Sequence, residues 1–300
     1  MKNVLKFYYE MDDLNIHQNN KDYYFKHNNN DYMLVECFNN NIDDIYNLSL
    51  KLNQLGFSSH SIVLNKTGQI LTRVNDSNYI LLKIYIEKRK VNFNDVMFFA
   101  NFNYDLRNIK LKKYNWYELW TNKVDYFEYQ LNQSGKKYPL IRESFSYYIG
   151  LAENAISLLQ LIDERNLFLT LSHSRVYTNN NTYDLYNPLN FVLDTRVRDI
   201  CEYFKDSFFN GKDISYELSY YLQNSNLNYD ESISFLARML FPTYYFDIYE
   251  KIISNEIEED KIKSILYKTK EYEMILKNIQ NYLKSTKNIP EIDWINFIQP

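Results

Sequence analysis

The residues of this chain that could do chemistry gather in one stretch. The run Leu169-Thr-Leu-Ser-His-Ser-Arg-Val-Tyr177 carries His173 and Arg175, and Asn180, Asp184, Asp194 and Asp199 follow it. A histidine, a carboxylate two residues on, an amide five residues beyond that and a later aspartate would make a base and a set of cation ligands. Such a set moves phosphoryl groups. Here the base position is Arg175, whose guanidinium stays protonated at physiological pH and cannot accept a proton. Asn180 has the offset of the amide ligand, but it stands inside Asn179-Asn-Asn181 of an asparagine-rich chain. The stretch Phe191-Val-Leu-Asp-Thr-Arg-Val-Arg-Asp-Ile-Cys-Glu-Tyr203 allows two readings. In one, Asp194 is the metal-binding aspartate. In the other, which the run into a helix favours, Asp194 and Asp199 are a later acidic pair, and the metal aspartate is missing or replaced by Asp184. Asp199 also reads as a first-turn carboxylate that complements a helix dipole. His173 is expected to bond loop backbone, and Arg175 to pair with Asp194 or Asp199 in place of a metal.

Other chemistry is excluded by composition. The glycines are Gly56, Gly68, Gly135, Gly150 and Gly211, with no two close. No glycine-rich dinucleotide turn or P-loop can be drawn from them. A net charge of −4 gives no basic stripe for nucleic acid. The runs 87–90 and 110–113 read as solvated surface. Cys37 and Cys201 are isolated, which points to a reducing compartment, no disulfide and no thiolate metal site. The four histidines, His17, His27, His60 and His173, are dispersed. No signal-peptide core or long apolar span is present, so the expectation is a soluble protein without membrane insertion.

The elements that would position these residues can be sketched. Val4–Tyr9, Tyr23–Phe25 and Tyr32–Phe38 read as strands between turns at 28–30 and 39–41. Ile42, Ile45, Leu48, Leu52 and Leu55 fall at helical spacing, with Gly56 as cap. Ser61–Leu64 and Gln69–Thr72 flank Asn-Lys-Thr-Gly as a hairpin, and Tyr79–Ile86 follows a second turn. Helical spacing then marks 116–131 and 145–162. Short strands and loops occupy 167–193. Helices resume at Val197–Phe209, Ile214–Leu222 and Asp230–Ile253, and a last one runs from Asn255 to about Lys284 with Glu258 as capping partner.

This order gives an α+β chain with a small β-rich N-lobe, 1–88, of antiparallel strands plus one helix. A helical C-lobe, 89–300, holds the degenerate loop at 167–196. It is the order of a bilobal protein-kinase-like or aminoglycoside-phosphotransferase-like fold, and other α+β arrangements share it. The phosphate-binding lysine of that fold sits on a strand before the helix. Tyr32-Met-Leu-Val-Glu-Cys37 has none, and Lys83 comes too late in the chain.

Several longer runs carry a family resemblance. They are Ser144-Phe-Ser-Tyr-Tyr-Ile-Gly-Leu-Ala-Glu-Asn-Ala-Ile156, Ser172-His-Ser-Arg175, 188–203, Phe235-Leu-Ala-Arg-Met-Leu-Phe-Pro-Thr-Tyr-Tyr-Phe246 and the terminal 271–276 and 288–294. Together with Glu118-Leu-Trp120 they resemble the endospore coat proteins of the CotS and YutH kind, closest to the YutH type, over roughly 56–295. The resemblance implies a Gram-positive endospore former, a kinase-like fold, synthesis in the mother-cell cytoplasm and deposition in the spore coat. Relatives that act on small molecules keep the catalytic aspartate, and this chain departs from them at Arg175. The expectation is a pseudokinase that binds other spore coat proteins, self-association included, with no cofactor and no metal. The alternative is a small-molecule phosphotransferase using ATP and magnesium through Asp184 or Asp194. A non-catalytic ligand sensor is the third reading.

Overall fold

The computed structural model describes residues 1–19, 22–38, 41–102, 111, 113–177 and 179–299, without the side chains of 134 and 136. Residues 39 and 40 of one expected turn, and 110 and 112 of the second basic run, lie outside the described residues.

The chain opens with helix α1 (Lys2–Tyr9), then strands β1 (His17–Asn19), β2 (Asp22–His27) and β3 (Asn30–Glu36). Helix α2 (Ile42–Gln54) follows, then β4 (Ser61–Val63), β5 (Thr72–Val74) and β6 (Ser77–Ile84). Next come α3 (Phe93–Ala100), α4 (Trp116–Ser134), α5 (Pro139–Leu159), β7 (Leu169–His173), α6 (Thr182–Leu185) and β8 (Phe191–Thr195). The remainder is helical: α7 (Arg198–Phe209), α8 (Ser215–Asn224), α9 (Tyr229–Leu240), α10 (Thr243–Ile253), α11 (Lys263–Leu266), α12 (Thr269–Lys287) and α13 (Asp293–Asn296).

Two compact units form. The first comprises Met1–Asn92 and His173–Leu193, with Leu111; the second comprises Phe93–Phe102, Lys113–Ser172 and the chain from Asp194 onward. The sheet of the first unit has the antiparallel order β1-β2-β3-β6-β4, with β5 also on β6. Asn28 and Asn29, at φ 48° and 60°, turn β2 into β3. Two successive left-handed residues match the twist of a tight hairpin, and asparagine tolerates them. Helix α2 buries Ile42, Ile45, Leu48 and Leu52 on one face, and Gly56 at φ 76° lets the Phe57 amide reach back to the Leu52 carbonyl.

The Val4–Tyr9 segment is a helix, not a strand. Met1, Leu5, Tyr8 and Tyr9 recur three and four residues apart, so a helix puts them on one side. Leu5 is fully buried against Met11, Leu14, Phe25, Tyr32, Leu34 and Leu81. The expected 61–72 hairpin is also corrected. Its turn closes, with the Asn65 amide on the Gln69 carbonyl at 3.0 Å, but β4 and β5 each pair with a different part of β6.

In the second unit α9 is buried on all sides from Asp230 to Leu240, as a central helix must be. It packs against α5, α7 and α12. The expected single helix over 230–253 breaks at Phe241-Pro242, because proline lacks the amide that would continue it. Asn255 does not start the last helix. It sits at φ 60° and ends α10, and α12 begins only at Thr269. Neither cysteine is in a disulfide, and both are buried. Among the described residues no helix is long and apolar enough to cross a membrane.

Candidate functional site

In the first unit the loop residues serve as a framework. His173 is buried, and its Nε2 donates to the Leu185 carbonyl at 2.7 Å. Arg175 is exposed; its Nη1 donates to the Tyr177 hydroxyl at 2.9 Å. Asn180 contributes backbone: its amide donates to the Tyr177 carbonyl and its carbonyl accepts from the Val91 amide. Asp184 closes a capping box with Asn181 at the start of α6, accepting from the Asn181 amide at 3.4 Å. Burial pushes its carboxyl up from the usual carboxylate range.

Beside these lies a contact set with no signal in the spacing. Thr182 is fully buried; its Oγ1 donates to the Glu87 carbonyl at 2.6 Å and accepts from the Arg89 amide at 3.2 Å. The Thr182 amide returns to the Arg89 carbonyl at 2.9 Å. The Tyr183 ring stacks with Tyr24 of β2, centroids 6.1 Å apart at 22°, and the Lys88 ammonium lies 5.2 and 5.5 Å from the two rings. Burial, and then the Asp22 charge, raise the Tyr24 hydroxyl to about 12. His60 is fully buried, its Nε2 donating to the Tyr183 carbonyl at 3.0 Å while Nδ1 has no hydrogen-bond partner among the described residues. Burial lowers this imidazole to about 4, so it is neutral at physiological pH.

In the second unit Asp194 is the centre of a buried cluster. Its Oδ1 accepts from Arg238 Nη2 and from the Thr195 amide, both at 2.7 Å. Its Oδ2 accepts from the Trp116 indole at 2.7 Å and lies 3.4 Å from Arg198 Nη1. Both guanidiniums also sit over the Trp116 ring, at 4.6 and 4.9 Å. Arg198 and Arg238 thus supply the positive charge at the Asp194 carboxylate. Helix α4 presents Trp116 at its N-terminus, where Asn115 caps it, and α9 presents Arg238. A cavity of 60 Å³ lined in part by Tyr114, Trp116, Asp194 and Arg238 adjoins the cluster, with room for little more than water. Asp199 lies buried in the first turn of α7.

The structure thus brings His173, Arg175, Asn180 and Asp184 into one unit, and Asp194 and Asp199 into the other. Among the described residues no three His, Cys, Asp or Glu side chains are grouped to hold a metal. Lys83 lies on β6 between β3 and β4, and β3 itself has no lysine. Sequence reasoning missed Trp116 and Arg238, which are 78 and 44 residues from Asp194. It also missed Thr182, one threonine among many.

The fold has solved relatives. An aminoglycoside phosphotransferase from Alicyclobacillus acidocaldarius matches 90% of this chain and 92% of its own, at TM-score 0.70 and 12% identity. The spectinomycin phosphotransferase APH(9)-Ia, solved with ADP and spectinomycin, matches 89% and 92%, at TM-score 0.61 and 11% identity. Identities this low establish the fold, a small antiparallel sheet unit followed by a large helical one. The endospore coat-associated protein YutH of Bacillus subtilis is 28% identical over 207 residues. That match covers 60% of this chain and 61% of the length of the curated relative. The profile of the family described as "Spore coat putative kinase YutH" matches residues 2–279. With that profile satisfied over nearly its whole length, on a phosphotransferase fold, the chain belongs to the spore coat YutH family of kinase-like proteins.

Proposed function

We propose that this protein is a component of the endospore coat that keeps the kinase-like fold, transfers no phosphoryl group, and works by binding other coat proteins, copies of itself included. The observation that carries the reading is the base position. Arg175 stands there, exposed and bonded to Tyr177, where a phosphotransferase needs a proton acceptor.

The residues present do not fit a magnesium–nucleotide complex. Both oxygens of Asp194 already accept from arginine, indole or amide groups. The Asp184 carboxylate serves a helix cap. Strand β3 offers no cation for the phosphates. Losing base, metal ligand and lysine together would remove several powers of ten in rate. The phosphotransferase alternative would require Asp184 or Asp194 to leave these partners. Mother-cell synthesis followed by coat deposition belongs to the same proposal.

Two measurements test it. Purified protein incubated with γ-labelled ATP, magnesium and extracted coat proteins, aminoglycosides or small amines should transfer no label above a protein-free control; turnover refutes the reading. A fluorescent fusion in a sporulating host should collect at the forespore surface and change position when a coat morphogenetic protein is deleted. A fusion that stays dispersed counts equally against it.

A further inference from the structure

We propose that Thr182 occupies a backbone edge shaped for adenine, and that Tyr183, Tyr24 and Lys88 fill the space beside it, so the chain plugs its own nucleotide pocket. This deepens the non-catalytic reading and rests on it.

The edge is defined by one atom. Thr182 Oγ1 reaches both the Glu87 carbonyl and the Arg89 amide, at 2.6 and 3.2 Å, so an acceptor and a donor converge on a single point of the connector after β6. Adenine carries the complement side by side on its Watson–Crick edge: the N6 amino donor and the N1 acceptor. A hydroxyl is a small group that can donate and accept at once. Thr182, itself fully buried, therefore satisfies both backbone groups with one hydroxyl.

The plug is held on both sides. The Val91 amide bonds the Asn180 carbonyl at 3.1 Å, the Thr182 amide bonds the Arg89 carbonyl at 2.9 Å, and Lys90 and Asn181 form a bridge. The capping box of Asn181 and Asp184 fixes the turn that aims Thr182. Next in sequence, Tyr183 covers Tyr24, and its carbonyl is tied to His60. The aromatic surface that would stack a base is thus taken by a second ring and an ammonium. The loop segment, which in an active phosphotransferase carries catalytic groups, serves here as an internal ligand.

The test is binding of adenosine and ATP to the full chain by titration calorimetry, with guanosine as control. Wild type should show no saturable binding at millimolar adenosine. The double variant Thr182→Ala with Tyr183→Ala should bind adenosine at least about ten-fold more tightly than wild type. Guanosine should gain nothing, because its O6 acceptor and N1 donor present the reversed order. Tight adenosine binding by wild type overturns the proposal. So does a folded double variant that binds no better, or one that gains guanosine equally. If the double variant fails to fold, Thr182→Val keeps the shape without the hydroxyl. Amide exchange at Arg89 should then be at least about ten-fold faster than in wild type, and unchanged exchange overturns the plug. Nucleotide binding without turnover would refute only the plug, whereas turnover would refute the non-catalytic reading.

Discussion

Replacing Asp194 by asparagine removes the charge that two buried guanidiniums share. Asp194, Arg198 and Arg238 are 3%, 5% and 2% exposed, so bulk solvent does not compensate the charge left behind. The new amide would also turn a donor toward either Arg238 or the Trp116 indole, both of which are donors. Removing one partner of a buried ion pair costs about 3–5 kcal/mol, because the other charge remains buried and uncompensated. For a unit of this size each kcal/mol lowers the melting temperature by about 2–4 °C, so a fall of roughly 6–20 °C is expected. The three tryptophans, Trp116, Trp120 and Trp294, all lie in the second unit, so fluorescence follows its unfolding selectively. The melt is run in EDTA, where a true metal-binding aspartate would gain nothing from its charge. In a double-mutant cycle with Arg238→Met the two losses should not add; a coupling of about 1.5 kcal/mol or more is expected for groups in direct contact. A D194N variant melting within about 2 °C of wild type would refute the clamp and reopen Asp194 as a metal ligand.

His60 should make stability depend on pH. Its folded value near 4 lies below the ordinary 6.5, so the unfolded chain binds the extra proton between them. The contribution is complete above about pH 6.5 and is lost as pH falls through about 4, some 3 kcal/mol in all. Denaturant titrations at pH 7 and pH 4 should show that loss, and His60→Gln should flatten it; parallel profiles would argue against the buried neutral imidazole. Leu5→Ala should destabilise the first unit by about 2–5 kcal/mol, since its side chain is fully buried; a change under about 0.5 kcal/mol would mean that α1 is not docked. Arg175→Asp should alter stability by no more than about 0.5 kcal/mol, because the residue is exposed, and should create no phosphotransferase activity; transfer of labelled phosphate by this variant would show that the base alone was missing.

What could be read from the sequence was local. Asn28–Asn30 announced a turn between two strands, and the Ile42-to-Leu52 spacing with Gly56 announced α2 and its end. Where long-range packing decides, the same rules failed. Val4–Tyr9 has strand-like residue types, but burying Leu5 against strand residues far along the chain selects a helix. Thr72 belongs with Tyr79 on β6 and not with β4, because β6 is long enough to pair with both short strands. A hydrophobic stripe continues across Phe241-Pro242, so periodicity alone hid the break between α9 and α10.

The sequence by itself determined which groups are available. Arg175 cannot be a base, β3 has no lysine, and scattered glycines cannot cradle a phosphate, whatever the fold. Only the tertiary structure decided what the remaining polar groups do. Asp194 meets Arg238 and Trp116, Thr182 meets the 87–89 connector, and Tyr183 meets Tyr24, all across tens of residues or more. Hydrogen bonds and ion pairs act over a few ångströms, and such distances arise between remote residues only when the core has packed.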